Sequence, residues 1–157
     1  MGLHLIGILI SFLVLLPNLL FLIRGGPKNM PKSLSPAPYI ITGLERIGQI
    51  SCFAMPLLFG NHIAEQPMNS IPVLMGICLL IYYACWIRYF TGGNSFALLY
   101  KPLGPIPIPM ALFPILYFML LGFWMRSYLF VIPSLLFAVG HFINSWRVYA
   151  DIEASKS

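Results

Sequence analysis

The chain has few charged residues: 8% of its 157 residues are charged, whereas soluble domains average about 25%. Its three cysteines are too few for a disulfide scaffold, and its apolar content excludes a disordered chain. The sequence also lacks a P-loop, a G-x-G-x-x-G fingerprint and a G-x-S-x-G elbow. It is instead 59% hydrophobic and 15% aromatic, which predicts an integral membrane protein.

Long apolar stretches account for most of the chain. A bilayer core requires about 20 apolar residues per helix, and the stretches that meet this length are 3–23, 39–59, 71–90, 108–125 and 128–149. They are continuous rather than alternating, which favours helices over a barrel. We therefore expect an all-α, polytopic membrane protein in which five transmembrane helices form one bundle over residues 1–157.

Basic residues near the helix ends predict the orientation of this bundle. Alternating spans place Arg126 on one side and the other eight Lys and Arg residues on the opposite side, which is then the cytoplasm. Those eight residues are Arg24, Lys28, Lys32, Arg46, Arg88, Lys101, Arg147 and Lys156. We expect the N-terminus outside the cell and the C-terminus in the cytoplasm, as in a multi-pass protein of the cell membrane. The net charge of +5 is then explained by basic residues that contact anionic lipid headgroups. No nucleic-acid partner is expected.

Two further patterns concern the cytoplasmic side. We interpret the aromatic residues there as an interfacial belt, with a ligand-binding cage as the alternative. These residues are Tyr39, Trp86, Tyr89, Tyr100, Trp146 and Tyr149.

In the connector that follows the third span, the alternating prolines Pro105, Pro107 and Pro109 predict extended backbone without internal hydrogen bonds.

Polar side chains from four predicted helices fall in the cytoplasmic half of the bilayer, where each is costly without a partner. We predict that they line a polar, cytoplasm-facing cavity that binds a ligand. The candidate ligand-binding residues are Asn18, Glu45, Gln49, Tyr82, Arg88, His141 and Asn144. The alternative is a structural network of hydrogen bonds between helices.

The expected function is the binding or transport of a small amphipathic or lipid-like molecule. Glu45 is the candidate for proton coupling or for contact with a cation, Arg88 for an anionic headgroup, and His141 for pH sensitivity. Transport would require a homo-oligomer, because five helices make a thin-walled pathway. One alternative is a membrane enzyme that acts on a lipid, with Glu45 and His141 as acid and base. Another is an accessory subunit of a larger membrane complex.

No catalytic residue, cofactor or metal ligand is assigned from the sequence. His4, His62 and His141 are far apart along the chain, and no C-x-x-C pair is present. The cysteines are interpreted as small apolar residues.

Overall fold

The computed structural model describes residues 4–24, 26–31 and 34–155, so that Leu3, Lys32 and Lys156 lie outside the described residues. Over these ranges the fold is all-helical, without strands. The α-helices are α1 (Leu5–Ile23), α2 (Tyr39–Leu58), α3 (Gly60–Ala64), α4 (Ser70–Thr91), α5 (Pro109–Met125) and α6 (Tyr128–Ala154). A short 3₁₀ helix, Phe96–Leu99, lies between α4 and α5. Each of the five apolar stretches thus contains a long helix.

Among the described residues, three helices are long and apolar enough to cross a membrane: α1, α4 and α6. The apolar helix α5 is shorter, with 17 residues. Helix α2 has 20 residues, but Glu45, Arg46 and Gln49 lower its mean hydropathy. Length and composition therefore support three of the five expected spans.

The long helices pack side by side, with successive ones running in opposite directions. Helix α5 lies between α4 and α6, and its side chains are buried on most sides. Phe118 and Leu121 of α5 are almost fully buried in this core. The outward faces of α1, α2, α4 and α6 instead expose large apolar side chains. The bundle is thus apolar both inside and outside.

Two glycines allow α2 and α6 to approach each other closely. A Cβ atom on Gly140 of α6 would lie 2.5 Å from the backbone nitrogen of Glu45. A Cβ atom on Gly48, one turn further along α2, would collide with the backbone of Phe137. The contact moves from Glu45 to Gly48 along α2 while it moves back from Gly140 to Phe137 along α6. The two helices are therefore antiparallel. Their backbones touch, and this contact places Glu45 directly against α6.

The proline inside α1 creates a hydrogen-bonding need that α4 meets. Pro17 has no N–H group, so the carbonyl of Leu13 lacks its usual donor four residues on. The hydroxyl of Tyr83 in α4 donates to this carbonyl at 2.6 Å. The backbone defect in α1 therefore fixes the position of that helix against α4.

The connector between α4 and α5 differs from the sequence prediction. The backbone N–H groups of Leu103 and Ile106 each donate to the other residue's carbonyl, at 3.0 and 3.1 Å, around Gly104 with φ +57°. The expectation of extended backbone without internal hydrogen bonds is therefore wrong for this part. Gly104 has no Cβ, and a positive φ at this position closes a tight turn.

Helix α6 is longer than expected, since it continues to Ala154 rather than ending at 149. In the added turn, the Asp151 carboxylate accepts hydrogen bonds from the backbone N–H and the hydroxyl of Ser35, at 2.8 and 3.1 Å. Lys28 and Phe96 also share a backbone hydrogen bond of 2.9 Å. The chain that follows α1 is thus fastened to both α6 and the connector after α4.

Substitution of Gly48 by alanine is expected to lower the free energy of unfolding by about 1–3 kcal/mol, because the new methyl group pushes α2 away from α6. Gly43 is a matched control on the same helix, since a Cβ atom there meets nothing within 4 Å. Gly43→Ala should leave stability unchanged or raise it by up to about 1 kcal/mol. Unfolding in a denaturing detergent, followed by circular dichroism, measures both. Equal stabilities for the two variants would contradict the close contact.

Candidate functional site

Glu45 is the centre of a hydrogen-bonded group between α2 and α6. One carboxylate oxygen lies 2.7 Å from Nδ1 of His141, and Asn144 donates its side-chain N–H to the other oxygen. His141 and Asn144 occupy adjacent turns of one face of α6. The Glu45 and His141 side chains are 19% and 25% exposed, so this ion-pair geometry is largely shielded from solvent. The structure therefore joins three of the predicted site residues directly.

A cavity of about 220 Å³ lies beside this group and is lined by residues from α1, α2, α4, α5 and α6. Four predicted site residues line it: Asn18, Gln49, Tyr82 and His141. Because Nδ1 of His141 contacts Glu45, its Nε2 atom remains available for another hydrogen bond. Glu45 and Asn144 do not line the cavity themselves; His141 connects them to it.

The polar groups of the cavity wall differ in their hydrogen bonding. Asn18 donates to the Tyr82 hydroxyl at 2.9 Å and to the Val14 carbonyl at 3.1 Å. The indole N–H of Trp86 is buried with no hydrogen-bond partner of normal geometry within the described ranges. A buried donor of this kind costs about 1–3 kcal/mol when it remains unpaired. Trp86 therefore contributes its ring to the wall, while its N–H nitrogen is closed off from the cavity.

Arg88 lies away from the cavity. Its guanidinium donates to the carbonyls of Lys101 and Pro102, at 2.6 and 3.0 Å, and so holds the connector after α4 against the end of that helix. The structure does not bring Arg88 together with the other predicted site residues. Its two bonded nitrogens already serve the backbone.

Two aromatic residues of the expected interfacial belt are buried instead. Trp86 is 5% exposed and Tyr89 is fully buried, with their rings 5.6 Å apart in an edge-to-face arrangement. The belt interpretation is therefore wrong for these two residues. Their burial could have been predicted from the sequence. Trp86 and Tyr89 continue the face of α4 that carries Cys78, Tyr82 and Cys85.

Tyr100 is a site residue that the sequence analysis assigned only to the belt. It lines the cavity described above and also a second cavity of about 410 Å³, which lies between the connector and the end of α6. Burial, with a further contribution from the negative charge of Glu45, raises the pKa of Tyr100. The phenol therefore keeps its proton at neutral pH and remains a hydrogen-bond donor. The second cavity also includes Lys101 and Glu153.

The group around Glu45 has the chemistry of a proton-exchanging pair. A carboxylate bonded to one imidazole nitrogen orients the ring. In the described part of the chain, no three His, Cys, Asp or Glu side chains come close enough together to hold a metal ion. The arrangement can thus bind a polar group or exchange a proton through His141.

Comparison with known proteins adds no relative. No family model matches the chain, and no curated protein or solved structure is significantly similar to it.

The contact between Glu45 and His141 is expected to appear as an energetic coupling. Glu45→Ala and His141→Ala each lower the free energy of unfolding. The double variant should lose about 0.6–1.7 kcal/mol less than the sum of these two losses, which is the range for hydrogen bonds between membrane helices. Arg46→Ala with His141→Ala is the control pair, because Arg46 is exposed. This second pair should be additive within about 0.5 kcal/mol. Unfolding titrations of the single and double variants measure both cycles, and additivity in the first would contradict the contact.

Proposed function

We propose that the five long helices all cross the membrane, with the N-terminus outside and the C-terminus in the cytoplasm. The exposed apolar side chains on the outward faces of the bundle support this, because water-soluble domains rarely expose so large a continuous apolar surface. The alternating helix directions support it too, since they put the basic ends of the helices together. In this arrangement the cavity lies in the cytoplasmic half of the bilayer.

We also propose that the cavity binds a small amphipathic molecule. The single observation that carries this proposal is the cavity of about 220 Å³ beside the Glu45–His141 pair. Aromatic rings form part of the remaining wall, including those of Phe21, Phe53 and Phe137. Such a wall suits a ligand with an apolar body and one polar end.

The cavity volume limits the size of the ligand. A dry cavity of about 150 Å³ takes up one benzene molecule, and the cavity here measures about 220 Å³. It therefore suits a molecule of roughly seven to ten non-hydrogen atoms by this comparison. A complete two-chain lipid is too large, although one part of a lipid is not.

A membrane enzyme is the second candidate function, because a carboxylate 2.7 Å from an imidazole is also the geometry of a general base with its orienting group. In that case His141 would take a proton from a substrate held in the same cavity, and Glu45 would stabilise the imidazolium. The two candidates share a binding site and differ in whether the bound molecule is changed.

Filling the cavity tests the binding proposal. Ala111 of α5 is buried and lines the cavity, whereas Ala84 of α4 is exposed on the outside of the bundle. With 3,3-dimethylbutan-1-ol as the probe, Ala111→Phe should abolish saturable binding, and Ala84→Phe should leave it unchanged. Saturation-transfer NMR of the full chain in lipid nanodiscs measures this binding, and circular dichroism checks the fold. Equal binding by both variants would show that the probe occupies lipid rather than the cavity.

The orientation has its own test. Ser70 and Ser155 are exposed residues near opposite ends of the bundle, and the native cysteines Cys52, Cys78 and Cys85 are buried. In intact cells, a membrane-impermeant maleimide should label Ser70→Cys but not Ser155→Cys. Labelling of Ser155→Cys should appear once the cells are opened. Wild type, which should remain unlabelled, is the control, and the reverse pattern would contradict the proposed orientation.

A further inference from the structure

The distribution of charge around the cavity is uneven. The chain has nine basic and four acidic residues, yet no Lys or Arg among the described residues lines this cavity. The carboxylate of Glu45 lies behind His141, which lines the cavity. A strongly basic protein has thus placed an acidic group close to this cavity, and no basic residue among its described lining.

The carboxylate has two neighbours that carry no fixed charge. Asn144 is neutral, and His141 is neutral whenever it holds a single proton. Arg46 is exposed, and the only ion-pair contact of Glu45 within the described ranges is with His141. With His141 neutral, the positive charge that acts on Glu45 is that of the exposed Arg46, which water screens. In a medium of low dielectric constant, the negative charge of Glu45 attracts a cation strongly.

The wall of the cavity suits an organic cation better than a metal ion. Phe21, Phe53 and Phe137 contribute rings to it, together with Tyr82 and Trp86. Aromatic faces stabilise ammonium groups through their quadrupoles, and the effect is larger where water is excluded.

We infer that the cavity selects a small organic ammonium ion over a neutral molecule of the same shape. This inference rests on the proposed binding function and names the chemical class of its ligand. The ammonium group compensates the charge of Glu45 and contacts the aromatic rings. His141 lies between the carboxylate and the ligand, so its proton and the bound cation compete for the same negative charge.

Two probes of equal shape test the selectivity. Choline and 3,3-dimethylbutan-1-ol carry the same hydroxyl and the same three methyl groups, and differ in having a charged nitrogen or a neutral carbon at the centre. On the full chain in nanodiscs of zwitterionic phosphatidylcholine at pH 7.5, choline should bind about tenfold more tightly than the alcohol. Competition measured by saturation-transfer NMR gives this ratio directly.

Removal of the carboxylate charge is the second arm of the experiment. Glu45→Gln should reduce the ratio of affinities to about one while it retains binding of the neutral alcohol, because only the charge is lost. Glu65→Gln is the matched control: it removes one negative charge from an exposed carboxylate outside the cavity and should retain the tenfold preference. The comparison of the two probes on wild type needs no variant, so it remains decisive if Glu45→Gln does not fold.

The outcomes separate this inference from the function on which it rests. Equal affinities for the two probes on wild type, or an unchanged preference in Glu45→Gln, overturn the selection of a cation. If Ala111→Phe still abolishes binding of the neutral alcohol, the cavity remains a binding site and only the ligand class is wrong. If neither probe shows binding that depends on Ala111, both the inference and the proposed function fail.

Discussion

The contact between α2 and α6 is the constraint on which the rest of the site depends. Gly48 and Gly140 have no side chains to separate the two backbones, so the helices touch along this line. At that distance Glu45 reaches the face of α6 that carries His141 and Asn144. Wider spacing would leave the carboxylate without donors in an apolar environment, where an isolated charge is several kcal/mol less stable, on the order of 3 kcal/mol on insertion scales. Close packing and polar pairing therefore require each other here.

The connector between α4 and α5 completes the cavity that the helices begin. Arg88 holds the backbone at Lys101 and Pro102, and this places Tyr100 over the space between the helices. The basic side chain thus acts on the site indirectly, through the position of a neighbouring aromatic residue. A long Arg side chain at a helix end can donate to several carbonyls at once, and it can therefore hold an irregular part of a connector in place.

Much of the fold could be predicted from the sequence, because uninterrupted apolar runs have few alternatives to helices. The convergence of Asn18, Gln49, Tyr82 and His141 followed from their depth along those helices, and the structure brings them to one cavity. Depth alone could not determine the direction in which each side chain points around its helix. For that reason the sequence predictions for two residues were wrong. Arg88 turns toward the connector rather than the cavity, and Trp86 turns into the core rather than toward the membrane interface. The tight turn at Gly104 depends on one positive φ angle, which the proline pattern masked.

The hydrogen bond from Tyr83 to Leu13 has a consequence for how the chain is assembled. In the proposed membrane arrangement, α1 enters the bilayer well before α4 during synthesis, and until α4 arrives the Leu13 carbonyl opposite Pro17 lacks the Tyr83 donor. The arrival of α4 supplies a hydroxyl at that depth. With this order of insertion, the first helix carries an unpaired acceptor and a later helix carries the matching donor. The two helices then pair inside the membrane through a hydrogen bond that involves no charged group.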